Sequence, residues 1–285
     1  MINTIELFPK LDRDLNKLLA SLSKEEWEKH TISPMWTVKD IAAHLLDGNI
    51  RGISIYRDNH FGENPGNIHS YSDLIRYLNT LNGDWVRAMK RVSPGIIMDL
   101  LRITGKDYCE ILKTLKPYDR AVYAVSWAGE AESFNWFHIA REYTEKWLHQ
   151  QHIRETAGRP LLDGREYLFP VLDTFLRALP YAYRGLQAAN GTSIGFHITG
   201  RAGGDWTLRR EEAVQQKEAV RRDGPGWRLY AGRSAQAAAS VTMDQDTAWR
   251  LFTKGIDPEK ARAGIHLQGG TALGTPILQM VSIMA

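Results

Sequence analysis

Five residues set at intervals of four, three, four and three along one segment constrain this chain more than any other feature: His138, Glu142, Glu145, His149 and His152. At helical periodicity that spacing is one stripe on one face, and every member of it is an imidazole or a carboxylate. The spacing predicts a helix from about Ser133 to Thr156, closed by Gly158 and Pro160. Phe137, Ala140, Trp147, Leu148 and Ile153 spread apolar groups around much of the remaining circumference. A helix of that kind is expected to be buried, and its stripe partly buried with it. Burying carboxylates beside imidazoles is costly unless hydrogen bonds or a cation satisfy them.

Glu145 and His149 stand one turn apart, so both can reach one ion. A third ligand must come from elsewhere. The candidate is His44, an imidazole flanked by Ala42, Ala43, Leu45 and Leu46. Two His and one Glu leave a coordination position open, which is the catalytic rather than the structural pattern for zinc. The same donors suit nickel or iron. The competing reading is a metal-free helix face whose imidazoles and carboxylates bond one another. Glu142 and His152 lie on the same stripe and are candidates for a general base or for orienting the ligands. His138, more than a turn away, is read as a core or surface residue.

The rest of the chain reads as helices followed by a mixed tail. Leu7, Leu11, Leu15, Leu18 and Leu22 mark a helix over 4–22, and Ser23 to Glu26 is a capping box. Thr37-Val-Lys-Asp40 opens the helix that carries His44, with apolar positions at Val38, Ile41, Leu45 and Ile50. Ser72 is expected to cap a third helix to Val92, and Ser93-Pro94 a fourth to about 115, ended by Pro117. A helix over 163–185 holds Pro170 and Pro180, which kink or divide it. After Leu186 the texture changes. Asn190-Gly-Thr192 is a turn, and strands are expected at Ser193–Thr199, Asp205–Arg210, Gly226–Ala231, Ala238–Met243 and Ile265–Gln268. Helices are expected at Asp244–Lys254 and Ala272–Met284. Two domains, 1–187 helical and 188–285 α+β, follow from that order.

Composition narrows the class. A net charge of +3 is too weak to argue for nucleic acid, and Arg209-Arg210-Glu-Glu and Arg221-Arg222-Asp read as solvated mixed-charge turns. Cys109 is the sole cysteine, so no intramolecular disulfide forms, and it is read as a packed residue. The opening MINTIELFPKLDRDL has charges where a secretory signal needs an apolar run. No stretch approaches the ~18–20 uncharged apolar residues of a membrane span. A cytoplasmic protein is expected, acting on small molecules, with no nucleic-acid or membrane partner. Six of the nine tryptophans precede residue 150; most are expected in the core, with some available to line a pocket.

The segment from Trp36 to Leu46, W-T-V-K-D-I-A-A-H-L-L, resembles the W-x-V-x-D-x-x-x-H-L signature of DinB-like helical bundles. It is most similar to the N-terminal domain of the mycothiol-dependent maleylpyruvate isomerase family. Glu145-Lys-Trp-Leu-His149 is similar to that family's E-x-x-x-H motif. The resemblance covers about the first 185 residues and implies a four-helix bundle whose metal ligands are His44, Glu145 and His149. The remainder, with Gly269-Gly270-Thr271-Ala272-Leu273 before its last helix, resembles the sterol-carrier-like α+β domain often attached to such bundles. A monomer or homodimer is implied.

The resemblance implies a metal-dependent enzyme, with zinc or nickel, that uses a low-molecular-weight thiol such as mycothiol, bacillithiol or glutathione. The reaction expected is isomerisation or S-transfer on a small electrophile. A second reading keeps the metal but activates water for hydrolysis, with Glu142 or His152 as base. A third is not an enzyme: the C-terminal half binds an apolar ligand in a stress-linked protein, with Trp249, Leu251 and Phe252 as core or cavity residues.

Overall fold

The computed structural model describes residues 1–212 and 226–284; Arg221-Arg222-Asp223 lies outside the described residues. In chain order the helices are α1 (Phe8–Ala20), α2 (Lys24–Trp27), α3 (Val38–Asp58), α4 (Tyr71–Met89), α5 (Pro94–Thr114), α6 (Asn135–Thr156), α7 (Arg165–Leu176) and α8 (Leu179–Ala182). Then come β1 (Ser193–Thr199), β2 (Gly204–Glu211), β3 (Gly226–Ala231), β4 (Ala239–Asp244), α9 (Gln245–Phe252), α10 (Pro258–Arg262), β5 (His266–Gly269) and α11 (Thr271–Gly274). The expected division of the fold into a helical N-terminal region and a C-terminal mixed-sheet region is the one found. None of the described helices is long and apolar enough to cross a membrane.

The chain packs as two compact units. One comprises Asn3–Asp119 with Glu142–Leu162, and the other Met1–Ile2, Arg120–Arg141 and Asp163–Met284.

The first unit is built on α1, α3, α5 and most of α6. The leucine stripe of α1 supplies Leu11, Leu15, Leu18 and Leu19 to the interior, where Trp27, Val38, Ile41, Leu45, Leu46, Ile97 and Ile153 are also buried. Each such side chain contributes about 1.5–3 kcal/mol on leaving water. The start of α3 is fixed by a capping box. Asp40 N donates to Thr37 Oγ1 at 3.3 Å, and Thr37 N donates to the Asp40 carboxylate at 2.9 Å. Asp in place of the usual Glu or Gln closes the box here, and the buried Asp40 also pairs with Lys90 Nζ at 2.7 Å. Further along, α3 meets α5 so closely that a Cβ on Gly52 would lie 2.3 Å from the ring of Tyr108. That ring is itself buried, so glycine is needed there for close approach.

The second unit holds a five-stranded sheet in the order β3-β2-β1-β4-β5. β1 and β4 run parallel and the other pairs antiparallel. Ile194, Phe196 and Ile198 of β1 face the core at every second position, while His197 and Thr199 alternate to the other face. Trp249, Leu251 and Phe252 of α9 are buried, as expected of core residues. Asp244 caps α9, accepting from the backbone N–H groups of Asp246 and Thr247.

Several elements differ from the sequence expectation. Ser70, not Ser72, caps α4, accepting from Asp73 N at 3.1 Å. The 163–185 helix is divided: Pro170 is accommodated inside α7, and Pro180 starts α8. Arg209, Arg210 and Glu211 belong to β2 rather than to a turn, because the ladder to β3 and the Arg228–Glu211 ion pair at 3.0 Å extend the strand. The final helix is short. α11 ends at Gly274 and a 3-10 stretch covers Thr275–Gln279, since Gly274 and Pro276 interrupt α-helical bonding. The short α10, capped by Asp257, has no counterpart in the expectation.

A cut at residue 187 separates side chains that pack together in the second unit. Tyr183 meets Phe196 and Trp227 at ring distances of 5.8 and 5.9 Å, and Ser282 Oγ donates to Phe175 O at 2.9 Å. A 1–187 fragment is therefore expected to bind a hydrophobic dye and self-associate. A monomeric, dye-silent fragment would establish residue 187 as a folding boundary.

Candidate metal centre

His44 projects from the second turn of α3, held there by the capping box one turn earlier. Glu145 and His149 project one turn apart from α6. The three meet. Glu145 Oε1 lies 3.2 Å from His44 Nε2 and 3.0 Å from His149 Nε2. The imidazoles stand edge to face with centroids 4.8 Å apart. One ligand atom from each residue lies within 4.8 Å of the others, the sole such group of three among the described residues. Ligands held at ~2.0–2.2 Å by a tetrahedral cation stand about 3.3 Å from one another. The two separations from Glu145 Oε1 are close to that, and the donors, two imidazole nitrogens and one carboxylate oxygen, fit a divalent metal.

Burial sets the protonation. Desolvation of the His44 ring pushes its pKa below the ordinary 6.5, against the hydrogen bond with Glu145 that favours the cation. The ring is thus the free base that a metal requires. Desolvation also acts on Glu145, raising its acid, yet the charge of His149 and hydrogen bonds from both rings hold the carboxyl well below the ordinary 4.5. The side chain keeps 44% of its surface accessible, so its desolvation is partial and the ring contacts prevail.

Both shifts carry the same sign for stability. The unfolded chain takes up protons on His44 below about pH 6.5 and on Glu145 below about pH 4.5, before the folded chain does. The metal-free protein is expected to lose melting temperature steadily from about pH 7 to about pH 4, and His44→Gln to lose less over the upper half of that range. A flat profile, or one identical in the variant, would contradict this.

Around the triad the residues are specific. The indole of Trp36 lies over His44 and His149, with centroids 4.9 and 6.2 Å away. Its loop is pinned by Thr31, whose N and Oγ1 both donate to Trp36 O. His152 stands edge-on to His149 at 5.4 Å. Glu142 accepts from Tyr108 Oη at 3.2 Å, a contact directed to α5. His138 is buried, and its Nδ1 accepts from Arg141 at 2.7 Å. Cys109 is buried and desolvation pushes its thiol up, which removes it as a nucleophile. The sequence reading did not single out Asp47 and Arg51 of α3. Their signal was available: they lie three and seven positions beyond His44 and so share its face.

An α-helical unit with a His/Glu/His constellation bridging two helices, followed by a mixed sheet, defines the class. The chain belongs to the family of mycothiol maleylpyruvate isomerase N-terminal domains, whose model matches residues 8–154. Among solved structures, the mycothiol-dependent maleylpyruvate isomerase is similar over 93% of this chain and 91% of that one, with a TM-score of 0.53 at 12% identity. A histidine-to-alanine mutant of that isomerase has the same TM-score and coverage at 11% identity. At such identities the likeness is one of fold. No curated protein matches by sequence.

Proposed function

We propose that this chain is a metal-dependent enzyme that uses a low-molecular-weight thiol, acting as an isomerase or S-transferase on a small electrophile. The observation that supports this most is the meeting of His44, Glu145 and His149 through one carboxylate oxygen at 3.0 and 3.2 Å, in a chain of this family. His44, Glu145 and His149 would hold a divalent cation, zinc or nickel, which would lower the pKa of a thiol and so supply a nucleophile at neutral pH.

The protein's own groups do the rest. His44, kept neutral by desolvation, offers its nitrogen lone pair without first losing a proton. Glu145 supplies the one negative charge of the set, so a divalent cation held by these three residues would keep a net positive charge toward an anionic sulfur. Trp36 covers the two imidazoles and keeps water from that side. The buried Cys109 cannot serve as nucleophile, which leaves that role to a thiol brought from outside. Mycothiol is the thiol in the family's name; bacillithiol and glutathione carry the same sulfur chemistry. In this reading His152 orients His149 and Glu142 belongs to the bundle.

Thiol dependence tests the proposal. Maleylpyruvate or a related cis-alkene acid is offered with mycothiol, bacillithiol, glutathione or no thiol, and isomerisation is followed by absorbance. Turnover that requires a thiol supports it. Thiol-free turnover to a product that has gained water would replace it by hydrolysis with Glu142 or His152 as base. Absence of turnover with every thiol, together with absence of metal, would favour the non-enzymatic ligand-binding reading.

A further inference from the structure

The face of the sheet turned away from Ile198, Val241 and Met243 carries a row of side chains, one from each of four adjacent strands. His197 of β1 stands opposite Asp205 of β2 on one side and Thr242 of β4 on the other, and Thr242 stands opposite His266 of β5. Residues paired in this way share a face. Asp205 Oδ1 lies 2.7 Å from His197 Nδ1. The carboxylate accepts, so Nδ1 carries the proton and Nε2 keeps its lone pair. Arg233 Nε stands 3.7 Å from the same carboxylate oxygen and helps to hold the acid in place. An imidazole tethered by an acid through one nitrogen is the form in which histidine binds a metal through the other. His197 keeps 34% of its side chain exposed, and His266 is exposed. Neighbouring strands lie about 4.8 Å apart, so His197 and His266, two strands apart, have Cα atoms about 9.6 Å from each other. A metal bound about 2.0 Å from Nε2 stands roughly 6.5 Å from the histidine Cα. The two reaches overlap, and the residue between them, Thr242, is short.

We propose that His197 and His266 hold a further divalent transition-metal ion on the sheet, with Asp205 as the positioning residue for His197. Zinc, nickel and copper are the ions that imidazole donors suit, and water completes the coordination. The consequence is mechanical. β5 is four residues long and lies at the edge of the sheet, and an ion shared by the two rings ties that edge to β1 at its centre. Two protein ligands make a weaker site than three, so the ion is held while metal is supplied and lost on dialysis. None of the triad's residues takes part, so this site stands or falls without regard to what His44, Glu145 and His149 hold.

The test is equilibrium dialysis of the full chain against zinc at micromolar concentration, with bound zinc counted and backbone hydrogen exchange followed by mass spectrometry. The wild type is expected to bind one zinc more than His266→Ala and one more than His197→Ala. His266 is exposed on an edge strand, so its variant keeps the fold. Asp205→Asn should weaken this ion about 10–100-fold, as changes to groups that orient a ligand do. The same difference of one zinc should separate His44→Ala from His44→Ala combined with His266→Ala, which reads this ion apart from the triad's. His60→Ala, which removes an exposed histidine outside the sheet, should bind as the wild type does. Zinc should slow exchange of the β5 amides in the wild type and not in His266→Ala. Equal zinc in the wild type and His266→Ala overturns the proposal, as does a count lowered by His266→Ala but not by His197→Ala. Zinc that leaves β5 exchange unchanged in the wild type overturns the tie between the strands.

Discussion

Elemental analysis is expected to find about one zinc or nickel per chain in the wild-type protein and none in His44→Ala or His149→Ala. The expectation follows from the donor count. Three ligands converge on one point, and removing an imidazole leaves a single imidazole and a carboxylate, too few to hold a divalent ion against water. Loss of affinity should exceed the 10–100-fold typical of changes to groups that merely orient ligands. Glu145→Gln should weaken binding and leave the unit folded, because the charge goes and the shape stays. Metal saturation should raise stability by about 2.7 kcal/mol at a free concentration 100 times Kd, a gain that chelator removes and His44→Ala never shows. Undiminished metal in both histidine variants would remove the proposed ligand set. Full metal with a higher melting temperature in Glu145→Gln would remove Glu145 from it.

Removing Asp12 should destabilise the first unit by about 3–5 kcal/mol, the usual cost of stranding a buried charge. Lys146, next to Glu145 on α6, has 9% of its side chain exposed, and its Nζ reaches Asp12 Oδ1 at 2.8 Å and Oδ2 at 3.1 Å. The ammonium also stands 5.7 and 5.9 Å from the rings of Phe8 and Tyr108. In Asp12→Ala those rings remain, but no other carboxylate pairs with Lys146 among the described residues. Asp12→Ala should therefore lower the urea midpoint sharply. Lys146→Met, which removes the charge and keeps the apolar stem, should recover most of that loss when combined with it. Equal midpoints for Asp12→Ala and wild type would mean that Lys146 reaches water in the variant. A double variant no better than the single would mean that the pair acts by shape.

Two of the triad's three residues were legible in the sequence because their logic is local, while His44, 101 positions from Glu145, was reached through its apolar setting and the family resemblance. Glu145 and His149 are one helical turn apart, and His44 is the lone titratable ring in an Ala-Leu run. The Asp12–Lys146 pair was not, because its partners stand 134 positions apart and either alone looks like a solvated surface charge. The strands were legible from alternation, β1 above all. The last helix was not, because Ile277, Leu278 and Met280 are apolar at helical spacing yet buried by tertiary packing in a segment that Gly274 and Pro276 keep from α-helix. The texture change near residue 187 is real in composition, but packing follows other lines. α7 and α8 carry Phe175 and Tyr183 against side chains of the later residues, and periodicity tells which face of a helix is apolar without telling what covers it.

The hydrogen bonds that begin α3 bear on how the centre is filled. Thr37 and Asp40 close the helix end on each other, and Lys90 locks the acid, without help from anything at the ligand positions. The turn that carries His44 is therefore shaped before any ion arrives. Loading should then be a matter of water exchange and diffusion on a finished surface, with no folding step in its rate, and a stripped protein should take metal back as fast as mixing allows.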